Sequence, residues 1–219
     1  MGAEQTEAAR TAVGQPSDRV RIAHLDTGYD PNHETVPQFL RRDLQKNFVD
    51  AGSPNDATDQ TSGILTNLGH GTGTLGILAG AAVDGVPLGG APFLDVIPIR
   101  VANSVVLFEN SAIAKAMDYV HGLFDAPTQR AHVITMSMGG LASQAWADAV
   151  NALYDKGILI VTAAGNTFFD LPPPYIVYPA RFRRRLTACF VIADPRPDPA
   201  PRSHLTPGHF GSAPQARPP

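Results

Sequence analysis

The sequence predicts an α/β protein: a parallel sheet with helices on both faces. Two observations carry that reading. Short apolar runs alternate along the chain with patterns of helical length, the order expected when each strand feeds a crossover helix. The 219 residues are 43% apolar, enough for one sizeable core and too few for two comfortable domains.

The elements follow in order. Val20 to Leu25 reads as a short strand ending at Asp26 and Gly28. Thr72 to Ala82 is small and apolar and suits a buried helix. Asp95 to Val101 reads as a strand, and Pro98 demotes it toward an edge or a bulge. Ser111 is placed to cap a helix over Ala112 to Phe124, with Ile113, Ala116, Met117, Val120 and Leu123 on one face. Val133 to Met138 is the next strand. Ser143 caps Gln144 to Lys156, Gly157 closes that helix, and Ile158 to Ala163 follows as a strand.

The ends differ in character. Residues 1–17 form a polar segment, and Met1 to Arg21 lacks the basic-then-apolar order of a signal peptide, so the sequence assigns no compartment. Eight prolines fall within residues 194–219 (Pro195, Pro197, Pro199, Pro201, Pro207, Pro214, Pro218, Pro219), which predicts an irregular tail. Residues 18–193 are left as the folded domain.

Composition excludes several functions. Seventeen Lys and Arg against twenty Asp and Glu give a net charge of −3. The run Arg181, Arg183, Arg184 and Arg185 reads as a solvated loop, so no nucleic-acid partner is expected. The stretch Leu75 to Val83 is interrupted by glycine and too short to span a bilayer, so no membrane role is expected either. Cys189 is the only cysteine, which excludes an intrachain disulfide and a thiolate zinc cage; its apolar neighbours predict a buried strand thiol.

In parallel sheets, chemistry collects at the carboxyl ends of the strands. Asp26 ends the first strand within His24-Leu25-Asp26-Thr27-Gly28, and Gly28 permits a sharp exit that keeps the carboxylate aimed. His70 opens His70-Gly71-Thr72-Gly73-Thr74-Leu75-Gly76. At a helix N-terminus its charged form is disfavoured, which predicts a neutral base near pH 7. The other six histidines lack comparable surroundings and show no metal-ligand spacing. Asn166 ends the strand Ile158 to Ala163 on a glycine turn, where its amide suits an oxyanion. Ser137-Met138-Gly139-Gly140 also follows a strand, its glycines leaving a bare backbone with which an extended peptide can pair.

Taken in order, Asp-Thr-Gly, His-Gly-Thr, Met-Ser-Met-Gly-Gly and Ala-Ala-Gly-Asn resemble the subtilisin-like serine proteases (subtilases). The resemblance covers about residues 18 to 193, including Asp30-Pro31-Asn32-His33 and Tyr178-Pro179-Ala180. It implies a subtilisin-like fold and serine-type endopeptidase chemistry on an extended peptide or protein substrate. By motif, Asp26 would orient the imidazole, His70 would be the general base, and Asn166 the oxyanion donor. Ser137, Met138, Gly139 and Gly140 would border the substrate cleft. The segment Asn103 to Glu109 corresponds by position to the other substrate-pairing strand, although Val105-Val106-Leu107-Phe108 lacks the usual Gly and Ser.

The nucleophile is the departure. The family presents its serine within Gly-Thr-Ser, and that tripeptide does not occur here. Of nine serines only Ser203 and Ser212 follow Asn166, and neither precedes a small-residue helix. The expectation is a domain incomplete at its C-terminus, through a truncated gene or a shifted frame. Such a chain is expected to be inactive alone and poorly stable, with an apolar sheet face exposed.

Two rival functions are weighed beside this one. Gly71-Thr72-Gly73-Thr74-Leu75-Gly76 has the spacing of a dinucleotide-binding turn, with Asp95 downstream, but lacks an apolar strand before it. A non-catalytic, peptide-binding relative would need no nucleophile. No cofactor is expected; the resemblance leaves structural calcium open, with Asp50, Asp56 and Asp59 as oxygen donors in a loop of no ligand pattern.

Overall fold

The computed structural model describes residues 19–64, 66–108, 111–165 and 177–182, and the backbone of Val191–Ile192. The 1–17 segment, the 194–219 tail, Asn166, Cys189, Ser203 and Ser212 lie outside the described residues. In chain order the elements are β1 (Arg21–Asp26), β2 (Lys46–Asn47), α1 (His70–Ala79), β3 (Asp95–Arg100), β4 (Val106–Leu107) and α2 (Ser111–Gly122). They continue as β5 (Val133–Met136), β6 (Gly139–Gly140), α3 (Gln144–Asp155), β7 (Leu159–Ala163) and β8 (Val191–Ile192). Among the described residues, six of the strands make one parallel sheet in the order β2-β3-β1-β5-β7-β8, while β4 and β6 pair as a separate ribbon.

The chain runs from β1 to β3 on one side, then crosses to β5 on the other, so the strand order reverses about β1. The mouth of the sheet opens at such a point. All six residues of β1 are buried, and it pairs along its whole length with β3, from Arg21 opposite Asp95 to Asp26 opposite Arg100.

Strand alternation distributes the core. Ala23 and Leu25 face one side with Ile97, Ile99, Ile134, Met136 and Ile160, against α2 and α3. Ile22 and Val96 face the other side, with Leu75 and Ala79 of α1. Helices therefore cover both faces. The residues between Ala23 and Leu25 and just after Leu25, namely His24 and Asp26, share the face of α1.

Three expectations need correction. Pro98 lies on an interior strand rather than at an edge. Val96 donates to Phe39 O, and Phe48 N–H donates to Arg100 O, so Pro98, of the same parity, points its imide nitrogen toward the neighbouring chain between these contacts. There the chain leaves as the 3₁₀ turn Arg42–Leu44, and no ladder bond is lost. Helix α1 begins at His70 rather than Thr72, launched by Gly69 at φ 80°, and stops at Ala79 because Gly80 is extended. Ser111 is the first residue of α2 rather than a cap before it.

Elsewhere the local signals hold. Ser143 Oγ accepts the Trp146 N–H at 3.3 Å and caps α3, and Gly157 beyond the helix end has φ 78°. Strand β5 stops at Met136, short of Met138, because Ser137 onward leaves the sheet to build β6.

Candidate active site

Two periodicities meet at the end of β1. His24 and Asp26, two residues apart on a strand, are separated by about 6.6 Å along it. His70 and Thr74, four apart on a helix, rise by about 6 Å and share a face. With α1 laid over β1, the two ladders match: Asp26 meets His70, and His24 meets Thr74.

His70 Nδ1 lies 2.7 Å from Asp26 Oδ1. An ionised carboxylate only accepts, so Nδ1 carries the proton and Nε2 is left as the basic nitrogen. Thr27 N–H also donates to Oδ1 at 2.7 Å, and the Thr74 hydroxyl donates to Oδ2 at 3.0 Å. Burial works to raise the pKa of Asp26, but the hydrogen bond from His70 and the charges of both imidazoles bring it below the usual carboxylate value.

The pKa of His70 is raised, first by its hydrogen bond to Asp26, then by the charges of Asp26 and Asp59, against desolvation. The helix N-terminus was expected to disfavour the imidazolium. A carboxylate in direct contact outweighs that partial charge.

Neighbouring backbone holds the pair. Thr27 Oγ1 accepts the Gly71 N–H at 3.1 Å, and Asp59 Oδ2 accepts the Gly69 N–H at 2.8 Å, so the first turn of α1 is tied to the exit of β1. A Cβ on Gly71 would sit 2.0 Å from Gly28 O. Glycine is required for that approach. Buried Arg100 donates from Nε to Thr27 O at 3.0 Å and from Nη2 to Asn103 Oδ1 at 2.7 Å, and pairs with Asp50 through Nη1.

The segment Ser137-Met138-Gly139-Gly140 differs from expectation. Ser137 is exposed and Met138 buried, but the backbone of Gly139 and Gly140 is not bare. Gly139 N–H donates to Val105 O at 3.1 Å and Leu141 N–H to Leu107 O at 3.3 Å, while Gly140 N–H donates to Tyr178 O at 3.1 Å. The two segments expected to flank a peptide thus pair with each other, Val106 opposite Gly139 and Leu107 opposite Gly140. A Cβ on Gly140 would lie 2.0 Å from Leu107 O, so these glycines serve a close intrachain contact. Beyond β4 lies a groove of about 360 Å³ lined by Phe48, Ser104, Val106 and the exposed Phe108.

The dinucleotide motif falls inside α1, preceded by a loop rather than a strand. Its first and last glycines serve packing, Gly71 against Gly28 and Gly76 against Thr35, while Gly73 faces open space, and all three lie in helix, so no phosphate-binding turn forms. The three loop carboxylates have separate duties: Asp50 pairs with Arg100, Asp56 accepts from Thr58, and Asp59 from Gly69 and Thr61. Among the described residues, no three His, Cys, Asp or Glu side chains gather as metal ligands, and no helix is long and apolar enough to cross a membrane.

Sequence reasoning missed His24 and Thr74. The signal was available: His24 precedes Asp26 by two on a strand, and Thr74 follows His70 by four on a helix.

Fold and pair together define an α/β protein with a buried carboxylate and an imidazole at the mouth of a parallel sheet. The Subtilase family model matches residues 17–208, and the chain belongs to that family. It is similar to thermitase of Thermoactinomyces vulgaris, 32% identical over 72% of this chain and 51% of the relative. Subtilisin DY of Bacillus licheniformis is 31% identical over 78% of this chain and 56% of its own length. Among solved structures, sphericase superposes with a TM-score of 0.59 at 31% identity, covering 74% of this chain and 50% of that one. The chain therefore spans about half the length of these relatives.

Proposed function

We propose that this chain carries the Asp–His part of a subtilisin-like serine endopeptidase site. The observation that carries the reading is the 2.7 Å bond from His70 Nδ1 to Asp26 Oδ1 at the mouth of the sheet. In this reading, Asp26 holds the imidazole in one tautomer and stabilises its charged form. His70 Nε2 takes the proton of a serine hydroxyl as it attacks the peptide carbonyl, then returns it to the leaving amine. Asn166 donates to the oxyanion, a contact whose loss typically costs ~10²–10³ in turnover.

Ser137, Met138, Gly139 and Gly140 border the path of an extended substrate. A peptide pairing with either glycine must displace a bond now made to Val105 or Tyr178. That closure gives no support to a purely peptide-binding relative. The mechanism calls on no cofactor.

Because the sequence holds no Gly-Thr-Ser, the chain by itself is proposed to be inactive. Turnover of a fluorogenic protein substrate by the purified chain, lost in His70→Ala, would overturn that. The endopeptidase reading is tested by sequencing the gene beyond codon 219 and translating every forward frame. A frame carrying Gly-Thr-Ser before a small-residue helix supports it, and its absence in all frames removes it.

A further inference from the structure

We propose that His24 is a positioning residue for His70, acting through the Thr74 hydroxyl and the Asp26 carboxylate. This rests on the assignment of His70 as the base. His24 is 4% exposed and Asp26 1%, so their polar atoms must find partners within the fold. His24 Nε2 lies 3.0 Å from Thr74 Oγ1 and 3.7 Å from Asp26 Oδ2, and Thr74 Oγ1 lies 3.0 Å from the same Oδ2.

A hydroxyl has one proton to give. Thr74 Oγ1 also lies 3.1 Å from His70 O and 3.3 Å from Gly71 O, but the charged carboxylate is the stronger acceptor. Its lone pair is then free for a proton on His24 Nε2. The chain of donors runs from His24 Nε2–H to Thr74 Oγ1–H to Asp26 Oδ2.

Two imidazoles thus address opposite oxygens of one carboxylate, and they are not equivalent. Burial holds the pKa of His24 down, against the pull of Asp26 and with the charge of His70 adding to the effect, which favours its neutral form. His70 is half-buried and bonded to Asp26 directly. Hydrogen bonds arriving at Oδ2 draw negative charge from Oδ1. That weakens the hold of Asp26 on the His70 imidazolium and sets how readily His70 gives a proton back. Among the described residues, the other charge facing His70 is Asp59, fixed by the Gly69 N–H and the Thr27 hydroxyl.

The test is an imidazole ¹H–¹⁵N NMR titration of the full chain. Thr74→Val and His24→Leu remove a donor, whereas Thr74→Ser and His24→Gln keep one. The expected result is a rise of a few tenths of a pH unit in the His70 midpoint for the first two. The double variant should rise no further than the larger single one, and the conservative pair should stay near wild type. A fall toward the ordinary imidazole value, no change, or additive effects would overturn the proposal, because mere loosening frees His70 from Asp26. Should Thr74→Val not fold, Thr74→Ala against Thr74→Ser makes the same comparison. Asp26→Asn separates the two readings. If it leaves the His70 midpoint unmoved, the Asp–His assignment itself fails; if it lowers the midpoint while the donor variants do nothing, only the positioning role fails.

Discussion

At the scale of the residue, the ionisation states of three neighbours govern the site. The folded pKa of His70 is raised by Asp26, so its contribution to stability is complete below the unfolded imidazole value of about 6.5 and is lost as pH rises through the folded value. Asp26 is lowered, so its contribution is complete above the unfolded carboxylate value of about 3.9 and is lost as pH falls through the folded one. The pair therefore stabilises most between about pH 4 and 6.5. Urea midpoints of wild type and Asp26→Asn across pH 4 to 9 should differ most in that window.

His24 has the opposite sign to His70. Its depressed folded pKa means the unfolded chain takes up a proton first, so wild-type stability falls as pH drops below about 6.5. His24→Leu should flatten that acid limb. A limb equally steep in the variant, read by urea unfolding at pH 5 and 8, would mean His24 is not buried as a neutral base.

At the scale of the element, caps and close approaches decide where helices start. Ser143 Oγ takes the Trp146 N–H, and Ser143→Ala should cost about 1 kcal/mol, read as a lowered urea midpoint at unchanged slope. Gly71 has a different duty. The added methyl of Gly71→Ala would collide with Gly28 backbone, so α1 must move off β1 and lengthen the His70–Asp26 contact. The expected outcome is a loss of about 1–3 kcal/mol together with a lowered His70 midpoint in NMR. A stable variant with an unchanged midpoint would show that the close approach is not what places the base.

At the scale of the whole molecule, the sheet is held by two separate apolar layers. Trp146 is fully buried in the larger one, with its ring edge-on to Phe182 at 6.1 Å between centroids. Its indole Nε1 has no hydrogen-bond partner among the described residues, so packing alone is lost on truncation. Trp146→Ala should cost about 3–5 kcal/mol, measurable by thermal or urea unfolding. Because Phe182 follows the Tyr178 bridge to Gly140, the same change should loosen the β4–β6 ribbon, visible as faster amide exchange at Gly140.

Much of this was legible in the sequence because it depends on short spacings. Alternating apolar runs and helical patterns specify a parallel sheet covered on both faces. The Ser143 cap and the Gly157 stop are local hydrogen-bond and backbone-angle requirements, and Asp26 and His70 stand in short motifs at element ends. What needed the tertiary structure depends on residues far apart in the chain. Only docking α1 over β1 brings Thr74 to His24, 50 residues away, and converts an ordinary strand histidine into part of the site. Only the local departure of the chain at Arg42–Leu44 makes an interior Pro98 tolerable, and only the return of Val105 and Leu107 to β6 closes the glycine backbone that looked open. The direction of the His70 shift belongs with these. A helix terminus is readable from sequence, but a carboxylate at 2.7 Å is set by how the chain folds back, and at that distance the carboxylate dominates.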